Sequence, residues 1–330
     1  MRLWAFAFLG IGVLVHPALA APASKTLDLD KVNNANRSTK SLKGIDPALI
    51  KAQVLLDRAR FSPGVIDGRN GDNLQDAVKA FERARDLKVD GVIDDEVWAK
   101  LTESSSDPAV IEYKISDGDV KGPFVKEIPD KLEDQADLDR LGYTGPLELL
   151  AEKFHMDSDL LKALNPGKSF EKAGTSIVVA NVGLDPKPDK ATQKVARIEV
   201  VKSQHVLRAL SEDGQLVAVY PASIGSKEKP APEGTYTVSA VAENPTYTYN
   251  PDYGFKGVKA EKKFVIKPGP NNPVGSVWID LSVDSFGIHG TPEPDKVGKT
   301  YSHGCARLTN WDAEELAQMV RKGTTVTFID

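Results

Sequence analysis

The spacing of apolar and polar residues predicts three regions with different secondary structure. In residues 46–102, apolar side chains recur every three or four positions, which is the period of an amphipathic helix. Asp46 and Pro47 supply a helix cap and a first-turn proline, and glycine–aspartate turns at 64–68 and 90–94 each lead into a further helix. We therefore predict a small helical domain over residues 46–102.

The second region, residues 108–183, combines strand and helix patterns. An alternating segment from Ile111 predicts a strand, two apolar helical stripes follow at 147–154 and 160–164, and a strand at 175–180 closes the region. About two dozen residues separate the first strand from the first helix. The predicted order is strand, helix, helix, strand, with an insertion after the first strand.

The third region is predicted to be mostly β. Residues 184–192, with two prolines among charges, form a linker, and beyond them short β-branched runs alternate with Gly, Asn and Pro turns. The predicted strands are 196–201, 205–210, 216–220, 235–240, 264–266, 277–281 and 325–329. A sandwich-like or closed sheet over residues 193–330 follows, with one helix at 311–321 capped by Asn310.

The amino terminus has the features of a secretory signal peptide over residues 1–20. Arg2 precedes an apolar run that ends at the small-residue triplet Ala18-Leu19-Ala20. The run is shorter than the roughly 20 residues that cross a bilayer, so we predict cleavage rather than anchoring. The mature chain would begin with a flexible tether at 21–45, contain no transmembrane segment and reside in the periplasm or cell envelope.

Composition and charge narrow the functional classes. The formal net charge of −5 offers no basic surplus for nucleic acid. Cys305 is the only cysteine, so an internal disulfide and a lipid anchor near the cleavage site are both excluded. An unpaired thiol in an exported protein is either a small core residue or a nucleophile.

Two short segments, 286–291 and 302–310, contain the residues suited to catalysis. His289 and Cys305 are sixteen positions apart, and the residues between them can form a loop that brings them together. Acyl transfer needs a nucleophile, a base within about 3 Å and N–H donors for the oxyanion. A thiolate–imidazolium pair would supply the first two, and Gly304 would let its own N–H and that of Cys305 face the carbonyl oxygen.

Zinc binding by His289, His303 and Cys305 is the alternative use of the same side chains. No CxxC or HExxH spacing supports it, and we predict neither a metal nor a cofactor. His303 either supports the loop or takes part in catalysis. His155, at a helix end in the second region, is predicted to be a surface residue.

The segments His-Gly-Thr and Ser-His-Gly-Cys-Ala-Arg-Leu-x-Asn resemble the signature of L,D-transpeptidases with the YkuD-type catalytic domain, including those of the ErfK and YbiS type. The resemblance covers residues 195–330. It implies that Cys305 is the nucleophile and that His289 is the base, held by the backbone carbonyl of Gly290. It also implies a substrate pocket formed by Tyr301, Ser302, His303, Arg307 and Asn310.

The two earlier regions resemble wall-binding modules. The glycine–aspartate turns and the closing Trp98-x-x-Leu101 of residues 46–102 are similar to the three-helix peptidoglycan-binding domain. Residues 110–182, with Tyr113 before a Gly-Asp pair and a Leu-Asn-Pro stop, resemble a LysM domain with an insertion. LysM domains bind the N-acetylglucosamine backbone of peptidoglycan and chitin.

The resemblance implies peptidoglycan stem peptides and glycan as partners. The tetrapeptide stem would be cut between the L-centre of diaminopimelate and D-alanine, and the acyl group would pass to an amine. A 3-3 cross-link is the default product, whereas a lipoprotein, another amine or water are alternative acceptors. With water the enzyme would be an L,D-carboxypeptidase or an amidase that releases attached proteins, and without catalysis the chain would be a peptidoglycan-binding protein.

Overall fold

The computed structural model describes residues 27–37, 44–183, 195–253, 260–302 and 304–330. In these ranges the α-helices are α1 (Leu29–Asn33), α2 (Pro47–Arg58), α3 (Asp72–Ala84), α4 (Asp95–Glu103), α5 (Asp117–Lys121), α6 (Leu132–Gln135), α7 (Pro146–Lys153), α8 (Ser158–Leu164) and α9 (Asn310–Met319). The strands are β1 (Val110–Lys114), β2 (Ser176–Ala180), β3 (Arg197–Val201), β4 (Val206–Leu210), β5 (Leu216–Pro221), β6 (Ser223–Ile224), β7 (Gly234–Glu243), β8 (Tyr247–Tyr249), β9 (Phe264–Ile266), β10 (Val277–Leu281), β11 (Gly287–His289), β12 (Ala306–Arg307) and β13 (Thr325–Ile329).

The helical region is built from α2, α3 and α4. The Asp46 carboxylate caps α2 by accepting from the Ala48 N–H at 2.8 Å, and Pro47 occupies the first turn. Phe61 and Phe81 pack edge to face, with ring centroids 5.4 Å apart. The apolar stripes predicted from the sequence therefore face one another in this core.

The prediction that residues 21–45 lack folded structure is wrong for α1. Val32 of this helix is fully buried. The Asn33 side chain donates to the Val110 carbonyl at 2.8 Å and accepts from the Val110 N–H at 2.9 Å. These two bonds join α1 to the edge of β1, because the amide side chain completes the backbone pairing of a strand residue.

The central region contains the antiparallel pair β1–β2, with Val110 opposite Ala180. Helices α7 and α8 lie between these strands in the chain, as predicted. Asn165 of the Leu-Asn-Pro stop joins α8 to β2, since its side chain donates to the Leu161 carbonyl at 2.9 Å and accepts from the Val178 N–H at 2.6 Å. The insertion after β1 contains two short helices, α5 and α6, which the apolar pattern did not predict.

The third region is a mostly β, barrel-like domain. Its nine-stranded sheet has the order β5-β4-β3-β13-β7-β10-β11-β12-β6, in which β13 runs parallel to β3 and β11 parallel to β12. The strands β6, β8, β11 and β12 were not predicted. Each has only two or three residues, too few to show an alternating pattern.

Helix α9 packs against this sheet through Ala313 and Leu316, which are fully buried. The prediction that Asn310 caps it is wrong by one residue. The Thr309 hydroxyl accepts from the Asp312 N–H at 3.2 Å and is the cap. Asn310 is thereby the first helical residue, and its side chain is available for other contacts.

The three regions share hydrophobic cores. Phe61 and Leu56 of the helical region belong to the same buried cluster as Val201 and Val219 of the β domain. The chain of Phe61 also runs parallel to β5, and the Ser62 N–H donates to the Val219 carbonyl at 2.9 Å. The helical region therefore packs on the β domain as a continuation of its core.

His155 lies in the same junction, so its prediction as a surface residue is wrong. Its ring stacks on Trp311 of α9, with centroids 5.0 Å apart, and its Nδ1 is 3.2 Å from the Asp57 carboxylate of α2. Burial lowers the pKa of His155, but the charge and hydrogen bond of Asp57, together with the charges of Asp312 and Glu315, raise it above its usual value. His155 belongs to the central region, and its side chain contacts both Asp57 of the helical region and Trp311 of the β domain.

The predicted signal peptide and the linker at 184–192 lie outside the described residues. Among the described residues, no helix has the length and apolar character needed to span a bilayer.

Candidate active site

The parallel pairing of β11 and β12 brings together the two segments singled out in the sequence. His289 is opposite Arg307 in this pair, and Ile288 is opposite Ala306. The Leu308 N–H donates to the His289 carbonyl at 2.8 Å. Because Cys305 directly precedes β12, this register sets it beside the start of β11.

The side chains of His289 and Cys305 line one open cleft of about 1290 Å³. Its wall in the β domain contains Tyr247, Trp278, Ser285, Phe286, His289, Ser302, Cys305 and Arg307. The mixture of aromatic walls and a few polar groups is typical of a site for a peptide-sized ligand.

His289 is fixed in one orientation and one tautomer. The residue is 5% exposed, and its ring stacks on the Trp278 indole with centroids 5.5 Å apart. Its Nδ1 lies 2.6 Å from the Gly290 carbonyl oxygen. A carbonyl oxygen only accepts, so Nδ1 carries the proton and Nε2 keeps its lone pair for use as a base.

Cys305 is half-buried at the cleft wall. Its thiol points to the Ser285 carbonyl, with sulfur and oxygen 3.8 Å apart. Burial raises the pKa of this thiol to about 11, although a hydrogen bond from the Gly287 backbone and the charge of Arg307 both lower it. The thiol is therefore protonated at neutral pH in the free protein.

The imidazole of His289 is neutral as well. Burial and, to a smaller extent, the positive charge of Arg307 lower its pKa to about 3, although the bond to the Gly290 carbonyl acts in the opposite direction. Burial therefore favours the neutral forms of both groups over the expected thiolate–imidazolium pair. Both groups keep their neutral forms because each charge would be formed in a buried site.

Gly304 shapes the turn before Cys305. Its φ of +116° lies in a region that residues with a Cβ rarely adopt, and a Cβ here would lie 2.7 Å from a ring carbon of Phe286. The Gly304 N–H donates to the Ser302 hydroxyl at 3.2 Å. This N–H is therefore bound within the turn rather than free to donate to the carbonyl oxygen of a ligand, contrary to the prediction.

Ser302 holds this turn from the other side. It is 3% exposed, and its hydroxyl donates to the Cys305 carbonyl while accepting from Gly304. Ser302 also borders the cleft. Its hydrogen bonds support the local backbone around Cys305.

Of the cationic residues that line the cleft, Arg307 is the closest in sequence to Cys305. Its Nε is buried and has no hydrogen-bond partner among the described residues. Its charge acts on both Cys305 and His289, as their pKa shifts show. A buried guanidinium N–H without a partner suits an anionic group that enters with the ligand.

The remaining predicted site residues lie elsewhere. Tyr301 is 66% exposed, packs beside His205 with ring centroids 5.4 Å apart, and does not border the cleft. Asn310 is 3% exposed and is hydrogen-bonded inside the protein rather than to the cleft. His303 lies outside the described residues.

Several cleft residues were missed because nothing in their local sequence marks them. Trp278 and Tyr247 come from strands remote from the motif, and the Gly287 N–H is a backbone donor without a side-chain signature. The carbonyl of Ser285, which faces the thiol, is equally invisible in a sequence. Only the fold brings these groups to Cys305.

The insertion of the central region supplies a further wall. Asp130, Lys131, Leu132 and Glu133 border the same cleft as Cys305. The insertion is held on the β domain by Leu141, whose N–H donates to the Pro268 carbonyl at 3.0 Å and whose carbonyl accepts from the Asn271 N–H at 2.9 Å. The cleft is therefore formed by two regions of the chain.

Comparison with known proteins agrees with this architecture. Residues 195–328 match the YkuD family, described as the L,D-transpeptidase catalytic domain, and residues 46–101 match a peptidoglycan binding domain. The L,D-transpeptidase YkuD of Bacillus licheniformis is 30% identical over 183 residues, which cover 55% of this chain and 92% of that protein. The protein of the same name from Bacillus subtilis is 28% identical over 182 residues, covering 55% of this chain and 92% of that protein.

Among solved structures, L,D-transpeptidase 3 from Mycobacterium tuberculosis is 22% identical with a TM-score of 0.34. The similarity covers 40% of this chain and 60% of that one. The β domain and its cleft define an L,D-transpeptidase catalytic domain, preceded by a peptidoglycan-binding helical region. By its similarity to the Bacillus licheniformis protein along nearly the whole length of that relative, the chain belongs to the YkuD family of L,D-transpeptidases.

Proposed function

We propose that this protein is a cysteine L,D-transpeptidase of peptidoglycan with Cys305 as nucleophile and His289 as base. The observation that supports it best is the pairing of β11 with β12, which sets both side chains in one cleft with the free Nε2 of His289 as the available base. The donor would be a tetrapeptide stem cut between diaminopimelate and D-alanine.

The neutral resting state defines the order of the chemistry. The thiol loses its proton to Nε2 as sulfur attacks the carbonyl carbon, because neither charged form is stable alone in this site. The C–N bond then breaks, and the imidazolium gives its proton to the departing D-alanine nitrogen. A thioester on Cys305 remains.

In the second half, the imidazole takes a proton from an incoming amine. The amine nitrogen attacks the thioester carbonyl, the C–S bond breaks, and the imidazolium gives its proton to the departing sulfur, which restores the thiol. A second diaminopimelate gives a 3-3 cross-link, which we propose as the main product. Arg307, with its unpartnered Nε, would bind a carboxylate of the stem peptide.

The regions before the β domain would hold the enzyme on the wall. We propose residues 46–102 as the peptidoglycan-binding module, and residues 108–183 as a LysM-like module, supported by the β1–β2 pair with α7 and α8 between its strands. Two weak sites on one polymer raise the local substrate concentration. Export to the periplasm, directed by residues 1–20, would bring the enzyme to that polymer.

Analysis of muropeptide products tests this function. The full mature chain is incubated with purified wall material rich in tetrapeptide stems, and the products are separated and identified by mass spectrometry. We expect new dimers with a 3-3 linkage, and none with Cys305→Ala. Shortened stems without dimers would identify a hydrolase instead, and unchanged wall material in the presence of the wild-type chain would contradict the proposal.

A further inference from the structure

The side chain of Asn310 joins the β domain to the central region. Its Oδ1 accepts from the Ser276 N–H at 3.1 Å. Its Nδ2 donates to the Pro270 carbonyl at 3.1 Å and to Glu152 Oε2 at 3.0 Å. Both ends of the amide are therefore bound, and one of the partners is a carboxyl group from another region of the chain.

Asn310 also contacts the residue that holds the catalytic imidazole. A Cβ built on Gly290 would lie 2.2 Å from Asn310 Oδ1, and one on Gly275 would lie equally close at 2.2 Å. The Gly290 N–H donates to the Val277 carbonyl at 3.2 Å, and its carbonyl accepts from His289 Nδ1. The position of the Asn310 amide thus limits where the Gly290 carbonyl can lie.

Glu152 carries a carboxyl group that is unfavourable to bury between the central region and the β domain. It is 8% exposed on α7, and burial raises its pKa to about 8. Tyr143, Glu148 and Glu314 face it, and the Tyr143 hydroxyl donates to it along with Asn310. A buried carboxyl with two donors is a rigid acceptor, because its orientation is fixed from both sides.

We propose that Glu152 is a positioning residue for catalysis, which acts through Asn310 and Gly290 to hold His289 in its active tautomer. The central region would then contribute to the chemistry, in addition to any contact with glycan. This inference rests on the proposed role of His289 as base. Without Glu152, the Asn310 amide keeps its bonds to Ser276 and Pro270 but loses the third, so it is held less firmly and the Gly290 carbonyl is less closely fixed beside Nδ1.

The test compares Glu152→Ala with Glu152→Gln and with Glu148→Ala in the full mature chain. Glu152→Gln keeps an acceptor for Asn310. Glu148 is the matched control because it bonds Asn271 of the same boundary at 2.7 Å but does not contact Asn310. Two quantities are measured: the rate constant and KM for acylation of Cys305 by a tetrapeptide, and the tautomer of His289 by nitrogen NMR of labelled histidine.

We expect Glu152→Ala to lower the acylation rate constant about tenfold or more and to leave KM little changed. A positioned general base accelerates a reaction by roughly 10²–10⁴-fold, and a poorly held base loses part of that acceleration. Its His289 should show a mixture of tautomers, whereas the wild type, Glu152→Gln and Glu148→Ala should show the Nδ1–H form. Asn310→Ala should have the same effect, and the double variant Glu152→Ala/Asn310→Ala should be no slower than either single one.

The inference is overturned if folded Glu152→Ala keeps the Nδ1–H tautomer, or if Glu148→Ala and Glu152→Ala reduce the rate equally. The NMR measurement needs no substrate, so it separates the two ideas. If the wild type is not acylated at all, the proposed function fails, while a tautomer change confined to Glu152→Ala would still support the positioning role.

Discussion

At the scale of single residues, burial sets the charges of Cys305 and His289, the proposed reacting pair, before a ligand binds. The pKa of Cys305 is raised to about 11 and that of His289 is lowered to about 3, so both are neutral over the whole range between these values. The sequence predicted a charged thiolate–imidazolium pair of these two residues. The difference arises because desolvation depends on the surrounding fold, which motif spacing does not reveal.

The reactivity of the thiol should therefore rise with pH far beyond neutrality. Alkylation requires the thiolate, whose fraction increases about tenfold per pH unit below the thiol pKa. We expect the rate of Cys305 alkylation by iodoacetamide, followed by intact mass, to keep increasing from pH 7 to above pH 10. A plateau reached below pH 8 would mean that an ion pair with His289 already exists in the free enzyme.

Gly304 should be intolerant of a side chain. In Gly304→Ala the φ of +116° becomes unfavourable, and the new methyl group clashes with the Phe286 ring. The turn must therefore shift, which moves the neighbouring thiol. We expect at least about a hundredfold loss in kcat/KM for acylation, because small misplacements of reacting groups reduce rates by that order. Gly214→Ala is the matched control, since Gly214 has a φ of +83° but no atom within 4 Å of its added Cβ. Equal activity of the two variants would refute this role.

At the scale of elements, the long strands and helices followed from the apolar pattern, and the short ones did not. The bounds of the five-residue strands β10 and β13 agree with the predicted ones. The three-residue β9 is the exception among the short strands, because its β-branched and aromatic residues lie directly before a Lys-Pro-Gly turn. The two-residue strand β12 has no periodicity, yet it directly follows Cys305. The short strands that form the site are defined by their pairing in the sheet and cannot be predicted from their own residues.

The cap of α9 is an element whose effect can be measured. Thr309→Ala removes the hydroxyl that accepts from Asp312 and should lower the free energy of unfolding by about 1 kcal/mol, measured by urea titration. Thr309→Ser keeps the oxygen and should lose less than half of that amount. If the two variants lose the same stability, the hydroxyl bond is not what caps the helix.

At the scale of the whole molecule, the regions behave as one packed body in the described structure. The sequence suggested modules joined by a tether and linkers, because each has its own apolar pattern. The shared clusters around Phe61 and the contacts of Leu141 with Pro268 were not predictable, since surfaces that join domains have no periodic signal of their own. The insertion, noted as a departure from LysM length, is the part that reaches the cleft.

Cooperative unfolding should follow from these shared cores. Phe61 is 3% exposed between the helical region and the β domain, so Phe61→Ala should destabilise the chain by about 3–5 kcal/mol. Differential scanning calorimetry should show a single transition that moves to lower temperature as a whole. If Phe61→Ala instead shows two transitions and only the one at lower temperature is shifted, the regions unfold independently.

The central claim is that Cys305 takes an acyl group from a stem peptide with the help of His289. Its most direct test is intact mass spectrometry of the mature chain after brief exposure to a tetrapeptide donor. The account predicts an adduct on Cys305 equal to the stem peptide without its terminal D-alanine, absent in Cys305→Ala and strongly reduced in His289→Ala. An unmodified wild-type protein, or an adduct that persists in Cys305→Ala, would contradict it.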